Sequence, residues 1–175
     1  FGASLKDRKA GTFGDFGTFS FSPMKVFGSF GNAGVITFKN KKFYNKLISL
    51  RTCGTINREI CQFPELKFDI DPIHAAHINE NFNVYNKLKK KRLDIAKRYF
   101  KNLSTNFDSL PKIDNEYNHT FYDFTVLINQ RKKIINYLYN KGIEVKVRHP
   151  ILINNQPIFK NLKKNKLEKA EYFVE

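Results

Sequence analysis

Residues 18–34 of this 175-residue sequence, TFSFSPMKVFGSFGNAG, are the segment whose residue types and spacing best suit chemistry. Alternating hydroxyl and aromatic side chains lead to a proline, then to a single lysine, Lys25, and then to a glycine-rich turn. Burial of a lysine at the rim of a sheet favours its neutral amine, which attacks aldehydes to form Schiff bases. Ser20, five residues before Lys25, can offer a hydroxyl to a phosphate, and the backbone amides of the turn can offer more donors.

These features alone leave a plainer interpretation open, in which Lys25 is a surface lysine in a loop and the glycines only allow a turn. The chain carries 31 basic side chains, most of them lysines, so a lysine beside glycines is weak evidence for a site.

The net charge of +15 raises the question of a polyanionic partner. The densest basic cluster, residues 87–92 (KLKKKR), lies in a predicted helix, where a solvated face is the usual outcome. The remaining basic residues are spread along the chain, and joint enrichment in lysine and asparagine is typical of an AT-rich genome. We therefore do not expect a nucleic-acid partner.

The composition also disfavours membrane and metal-binding proteins. No apolar run is long enough to cross a bilayer, and the first ten residues lack the features of a signal peptide. Cys53 and Cys61 are isolated, and the four histidines do not follow the spacing of a metal motif. We expect a cytoplasmic protein with no membrane contact, no disulfide framework and no metal site.

The elements that position Lys25 are predicted from periodicity. Residues 17–22 alternate hydroxyl and phenylalanine side chains, which predicts a strand with one apolar face that ends at Pro23. Asp71 and Pro72 predict the start of a long helix that carries the basic cluster and runs to about Leu103. Strands and helices that alternate in this way indicate an α/β class. The other predicted elements are loop and turn over 1–16, a strand at 33–38, a helix at 41–53 closed by Gly54, an irregular segment at 55–70, strands at 119–128 and 143–147, a helix at 130–141 closed by Gly142, a loop at 150–157 and a helix from Lys163.

Taken in order, the motifs of the chain resemble those of the DegT/DnrJ/EryC1/StrS family of aminotransferases, pyridoxal-phosphate enzymes that aminate keto sugars attached to nucleotides. The S-F-x-x-x-K run alone would be weak, but collinear blocks cover nearly the whole chain, so the resemblance is specific. The matching blocks are Gly2-Ala3, Gly11 to Asp15, Ser20 to Lys25, Gly28 to Gly34, Leu50 to Gly54, Asp69 to Ala76 and Glu144 to Pro157.

The resemblance implies roles for four residues. Lys25 matches the catalytic lysine that forms the Schiff base with the cofactor, pyridoxal 5′-phosphate, and later shuttles a proton. Ser20 matches the serine that binds the cofactor phosphate. Lys67 falls where the family has a residue that reaches this phosphate from the partner subunit, and a lysine there supplies a cation to a dianion. His149 falls in a loop near the sugar site and is the implied substrate-binding residue.

Two positions depart from the family's pattern without removing a catalytic group. Cys53 replaces a histidine in the turn after the L-R motif, and His74 replaces the glutamine of I-Q-A-A. Some relatives that dehydrate sugars have a histidine in place of the catalytic lysine, so Lys25 favours transamination over dehydration.

The fold that the resemblance implies is α/β, of fold type I of the pyridoxal-phosphate-dependent transferases. Residues 1–84 are expected to end the large cofactor-binding domain, and residues 85–175 to form a connecting helix and part of a small C-terminal domain. The chain would then be a fragment that lacks the N-terminal half and the C-terminal end, including the acid that pairs with the pyridine nitrogen. We expect these 175 residues alone to be inactive.

The implied reaction moves an amino group, from glutamate, to a keto group of a nucleotide-linked deoxysugar, for the synthesis of amino sugars and surface polysaccharide. The implied partners are that nucleotide-linked keto sugar, the amino-acid donor and a second subunit in a homodimer. Two alternatives stay open: a pyridoxal-phosphate-dependent sugar dehydratase of the same family, and a non-catalytic regulatory or nucleic-acid-binding relative that would not need Lys25.

Overall fold

Two compact units make up the chain in a computed structural model that describes residues 1–103, 109–111, 113–161 and 166–174. The first unit comprises residues 1–105 and 111–124, and the second comprises residues 106–110 and 125–175. Strands and helices both occur, as expected for the predicted α/β class. The predicted domain boundary at residue 84 stays a prediction.

The strands among the described residues are short and pair antiparallel. They are β1 (Ser4–Leu5), β2 (Arg8–Lys9), β3 (Phe16–Ser20), β4 (Gly34–Phe38), β5 (Thr55–Ile56), β6 (Ile60–Cys61) and β7 (Tyr117–Asn118). β1 lies between β2 and β7, β3 pairs with β4, and β5 pairs with β6. The register of the β3–β4 pair runs from Phe16 opposite Phe38 to Ser20 opposite Gly34.

The α-helices of the described residues are α1 (Tyr44–Arg51), α2 (Pro72–Leu103), α3 (Arg131–Asn140) and α4 (Glu168–Val174). Single turns of 3-10 helix lie at Lys41–Phe43, Ile153–Asn155 and Pro157–Phe159. Not one of these helices combines the length and the apolar character that crossing a bilayer requires.

The pair β3–β4 confirms the two strands predicted around Lys25. Phe21 is buried while Thr18 and Ser20 are exposed, which is the alternation that the sequence predicted. The assigned strand ends at Ser20 rather than at residue 22, although the Phe21 N–H still donates to the Ala33 carbonyl at 2.8 Å.

The core of the first unit is aromatic and joins β3 to α2. Phe21 and Phe27 from the segment around Lys25 are buried against Ile78 and Tyr85 of α2. Phe1 completes the cluster, with its ring stacked on that of Phe27 at a centroid separation of 5.0 Å. Because rings of this size bury large apolar areas, this cluster fixes both ends of the segment that carries Lys25.

Two of the three helix boundaries predicted from proline and glycine, the start of α2 and the end of α3, are confirmed. The helix predicted at 41–53 is shorter: a 3-10 turn precedes α1, α1 ends at Arg51, and left-handed Cys53 (φ 59°) precedes Gly54 (φ 71°). α2 begins at Pro72, and the Asp71 carbonyl accepts the N–H groups of His74 and Ala75 at 3.0 and 3.1 Å. α3 is closed by Gly142, which has a φ of 72° and donates its N–H to the Tyr139 carbonyl at 2.9 Å.

The predicted strands at 119–128 and 143–147 are wrong, because no described strand lies in either range. In the first range the backbone N–H and carbonyl groups of Phe121 form hydrogen bonds with side chains instead of with a neighbouring strand. The Phe121 N–H donates to His119 Nδ1, the Phe121 carbonyl accepts from Arg92, and Phe121 has a left-handed φ of 48°. In the second range Ile143 and Val145 are exposed. Their β-branched side chains therefore gain no stabilisation from packing on a sheet face.

Three segments predicted as loops contain short regular pieces. Residues 1–16 include β1 and β2, residues 55–70 include the β5–β6 hairpin, and residues 150–157 include a 3-10 turn. The predicted helix start at Lys163 lies outside the described residues, and α4 begins at Glu168.

Candidate functional site

Lys25 lies in a turn that is tied to the core at both ends. The buried side chains of Phe21 and Phe27 bracket the turn, and the Lys25 side chain between them is half-buried. The Lys25 N–H donates to the Ser22 carbonyl at 2.9 Å, and the Ser29 N–H donates to the Phe21 carbonyl at 2.7 Å. These bonds fix the backbone of the turn from which the Lys25 side chain extends.

Gly28 closes this turn because no side chain fits at its position. A Cβ atom there would lie 2.7 Å from the Ser22 carbonyl oxygen and 2.8 Å from the Pro23 carbonyl oxygen. Both are backbone atoms that cannot rotate away, so the close approach of the two arms of the turn depends on glycine.

The Lys25 ammonium lies over the ring of Tyr122, with Nζ 4.6 Å from the ring centroid. This is a cation–π contact between residues far apart in the sequence but within the same compact unit. Sequence reasoning missed Tyr122, since no local spacing links it to Lys25.

Ser20 and Ser22 place two hydroxyls on the same turn as Lys25. Ser20 Oγ lies 3.3 Å from Ser22 Oγ and accepts the Ser22 N–H at 3.4 Å. Ser20 is exposed and Ser22 half-buried, so these hydroxyls can be reached by a ligand. The two hydroxyls can donate hydrogen bonds to a phosphate, and the amine can attack an aldehyde. The residues of this turn therefore fit pyridoxal phosphate, which carries both groups.

Lys67 lies elsewhere in the same unit, on a segment that runs beside the end of α1. Its backbone forms an isolated bridge with Thr52, and the Phe68 N–H donates to the Arg51 carbonyl at 2.9 Å. The Arg51 Nε–Asp69 Oδ1 ion pair at 3.2 Å adds a side-chain contact. The Lys67 side chain is exposed, and its predicted role in phosphate binding stays a prediction.

His149 belongs to the second unit, where it is exposed and has a left-handed φ of 52°. The structure therefore brings Ser20 and Lys25 together on one turn and holds Lys67 in the same unit. The role of His149 in substrate binding stays a prediction.

The first turns of α2 contact the glycine-rich turn that follows Lys25, which sequence reasoning missed by treating the histidines there as ordinary helix positions. The His74 ring packs against Gly31 so closely that a Cβ atom would have no room. The His77 ring stacks on that of Phe30 at a centroid separation of 3.7 Å, and His77 Nε2 lies 2.7 Å from Nδ2 of Asn81. His74, a departure from the family's glutamine, thus takes a packing role here.

A cavity of about 400 Å³ lies beside this turn, between the segment around Tyr122 and α2. Its lining includes Val26, Tyr122 and Tyr99, together with the cationic side chains Lys91 and Arg92. The described residues contain no group of three His, Cys, Asp or Glu side chains that could hold a metal ion.

Comparisons with known proteins relate the chain to a single family. A model of the DegT/DnrJ/EryC1/StrS aminotransferase family matches residues 1–175. A curated relative from Acidithiobacillus ferrooxidans, a UDP-N-acetyl-3-dehydro-alpha-D-glucosamine 3-aminotransferase, is 27% identical over 99% of this chain and 47% of its own length. A pleiotropic regulatory protein of Geobacillus stearothermophilus is 26% identical over 97% of this chain and 47% of its own length.

The fold is also that of solved aminotransferases. The crystal structure of DesV from S. venezuelae, in complex with a ketimine intermediate, superposes with a TM-score of 0.89 at 21% identity. The superposition covers 98% of this chain and 47% of DesV. The chain spans about half the length of the curated relatives it matches.

Proposed function

Because this chain belongs to the DegT/DnrJ/EryC1/StrS aminotransferase family, we propose that the complete protein is a pyridoxal-phosphate-dependent aminotransferase. Its substrate would be a nucleotide-linked keto sugar, the substrate class in the name of the Acidithiobacillus relative, and its amino donor would be an amino acid, glutamate in our proposal. The observation that carries the proposal is the half-buried Lys25 on a tied turn beside the hydroxyls of Ser20 and Ser22.

Each residue of the turn has a distinct task in this proposal. Lys25 would hold the cofactor through its side-chain amine, and whenever that amine is free it would take and return a proton. Ser20, supported by Ser22, donates to the cofactor phosphate. When bound, the cofactor supplies the electron sink that lets an amino group pass from donor to keto sugar. The aromatic core around Phe21 and Phe27 holds the turn in place.

The finer parts of the proposal concern assembly and setting. The exposed side chain of Lys67 would reach the cofactor phosphate of a second subunit in a homodimer, and His149 would contact the sugar. Residues 1–84 would end the large domain, and residues 85–175 would enter and partly form the small one. The free thiols of Cys53 and Cys61 are consistent with a cytoplasmic enzyme that makes amino sugars for surface polysaccharide.

A second candidate function is regulatory. It is favoured by the similarity to a Geobacillus protein that is named as a pleiotropic regulator. A regulator that does not bind the cofactor has no use for the amine of Lys25, so the two functions differ in whether that amine reacts.

The deciding experiment adds pyridoxal phosphate to the complete protein and follows the visible absorption band of the Schiff base. Reduction with borohydride should then attach the cofactor covalently to the peptide that contains Lys25. The Lys25→Ala variant should lose the band and the covalent attachment, whereas Lys39→Ala, which changes an exposed lysine after β4, should keep both. Covalent attachment that persists in Lys25→Ala would overturn the assignment.

A second variant tests the phosphate contact. A hydrogen bond to a charged group contributes about 1.5–3 kcal/mol, so Ser20→Ala should weaken cofactor binding by about tenfold or more. The assay is a titration of the same visible band, with formation of amino sugar from a nucleotide-linked keto sugar as the measure of the reaction itself. Unchanged affinity in Ser20→Ala would remove this serine from the proposed site.

A further inference from the structure

The contact between Lys25 and Tyr122 is unexplained by the proposed roles of the turn. Lys25 Nζ lies 4.6 Å from the centroid of the Tyr122 ring, and both side chains are half-buried. An ammonium over the face of an aromatic ring is attracted by the ring quadrupole, most strongly where water is partly excluded.

Tyr122 is held in place from two sides, so this contact is built into the fold. Its neighbour Phe121 is buried, donates its N–H to His119 Nδ1 at 2.9 Å, and accepts Arg92 Nη1 of α2 on its carbonyl at 3.1 Å. Two residues after Tyr122, the ring of Phe124 packs against the ring of Tyr99 of α2, with 5.0 Å between the ring centroids. The ring face of Tyr122 is therefore presented by a segment that is anchored on the long helix.

Lys25 meets this ring from a turn that is equally restrained. The bond from the Lys25 N–H to the Ser22 carbonyl and the close packing of Gly28 fix the backbone from which the lysine extends. Two independently fixed backbone segments thus converge on one ammonium–ring contact.

We propose that Tyr122 is a positioning residue that holds the Lys25 ammonium whenever this amine is not bonded to the cofactor. The proposal rests on the proposed function. To bond, the ammonium loses a proton to solvent, its nitrogen bonds the aldehyde carbon, and the aldehyde oxygen leaves as water. When the amine of the donor displaces the lysine from that carbon, the lysine nitrogen takes up the protons that the donor amine gives up and returns to the ring, close to the place where it must next accept or deliver a proton.

The contact with Tyr122 should lower both the rate at which Lys25 reacts with the cofactor and the affinity for it. The ring contact stabilises the free, charged lysine and is given up when the nitrogen bonds, so it opposes capture of the cofactor. Removing the ring face should make Lys25 react faster and bind the aldehyde more tightly, by about two- to fivefold for a partly exposed contact. A residue with a merely structural role would instead weaken binding of the aldehyde when it is removed, because loosening the site weakens binding.

The first test labels the amine of Lys25 in the complete, cofactor-free protein with acetic anhydride and quantifies the product by mass spectrometry. Tyr122→Leu should raise the labelling rate of Lys25 about two- to fivefold, whereas Tyr122→Phe, which keeps the ring, should stay within a factor of two of wild type. Tyr99→Leu is the matched control, because Tyr99 lines the same cavity and packs on Phe124.

Lys89 serves as an internal reference against misfolding. Its Nζ donates to the Gly2 carbonyl at 2.8 Å, so general loosening of the first unit would raise its labelling along with that of Lys25. The ratio of the two rates should rise in Tyr122→Leu alone. A Lys25 rate in Tyr122→Leu that equals or falls below the wild-type rate would overturn the proposal.

The second test measures the apparent dissociation constant of pyridoxal phosphate from the visible band. The constant should fall about two- to fivefold in Tyr122→Leu and stay near wild type in Tyr122→Phe and Tyr99→Leu. A rise in Tyr122→Leu would contradict the positioning role. Absence of the band in the wild-type protein would instead overturn the proposed function, which the labelling test does not depend on.

Discussion

Replacing Gly28 by alanine tests whether the tight turn is what places Lys25. The added Cβ would lie 2.7 Å from the Ser22 carbonyl oxygen and 2.8 Å from the Pro23 carbonyl oxygen. Ordinary van der Waals contact begins at 3.4 Å, so the two arms of the turn must separate by about 0.7 Å. Such a shift removes the Ser22 carbonyl from the Lys25 N–H that it now accepts at 2.9 Å.

The expected change in the free energy of unfolding for Gly28→Ala is the difference between two opposing effects. Overpacking that forces a backbone shift costs about 1–3 kcal/mol. Alanine also restricts the unfolded chain, which returns about 0.4–1 kcal/mol. The net loss in the free energy of unfolding for Gly28→Ala is therefore about 1–2 kcal/mol.

The assay combines urea unfolding of the complete protein with hydrogen exchange at the amides of Lys25 and Ser29. Exchange at both amides should accelerate about five- to thirtyfold if the turn opens by this free energy. The matched control is Gly14→Ala, where the nearest atom to the new Cβ is the Phe16 carbonyl oxygen at 3.5 Å. A Gly28→Ala protein that matches the control in stability and in exchange would refute the reasoning.

Three further substitutions probe the contacts that surround the turn. Tyr85→Phe removes the hydrogen bond to the Phe1 carbonyl at 3.1 Å and should cost about 1 kcal/mol in urea unfolding. Burial raises the pKa of Tyr85, against a smaller opposing effect of Arg92, so the stability it contributes should be lost as pH rises through that raised pKa, and Tyr85→Phe should flatten this alkaline decline. Arg92→Met frees the Phe121 carbonyl and should lower the free energy of unfolding by about 1–2 kcal/mol, with faster amide exchange around that residue. Phe27→Ala empties a core position that is 3% exposed and should destabilise the protein by about 3–5 kcal/mol in the same unfolding assay.

Each of these three predicted effects can be contradicted by a specific measurement. Phe30→Ala is the control for the core substitution, because Phe30 is 67% exposed and should cost less than about 1 kcal/mol. Equal losses for Phe27→Ala and Phe30→Ala would contradict the assignment of the core. An alkaline decline of the same slope in Tyr85→Phe as in wild type would assign that decline to other groups. Unchanged exchange around Phe121 in Arg92→Met would show that Phe121 is held without this bond.

Local features of the fold could be predicted because their causes lie within a few residues. The alternation at 17–22 predicts β3, the pair Asp71-Pro72 predicts the start of α2, and Gly142 predicts the end of α3. Each signal is local: a side-chain period of two, a fixed proline φ or a left-handed glycine. The pairing of Ser20 with Lys25 is also local, since five residues across the end of a strand keep both on one turn.

Contacts between distant segments could not be predicted in this way. The range 119–128 has the composition of a strand, yet its backbone bonds to His119 and Arg92 rather than to a neighbouring strand. A strand needs a partner, and composition does not say whether a partner is there. For the same reason nothing in the sequence links Tyr122 to Lys25 or His77 to Phe30.

The family, the candidate lysine and the turn that carries it could be identified from the amino-acid sequence, since these depend on residue types at short, ordered spacings. The side chains that lie against that lysine became known from the packed chain. The aromatic cluster draws β3 onto α2, and Arg92 of the same helix holds the segment that presents Tyr122. Such contacts follow from burial of apolar surface and from satisfaction of backbone groups across long separations. They exist only once the chain is packed, which is why the surroundings of Lys25 emerged from the fold rather than from its motif.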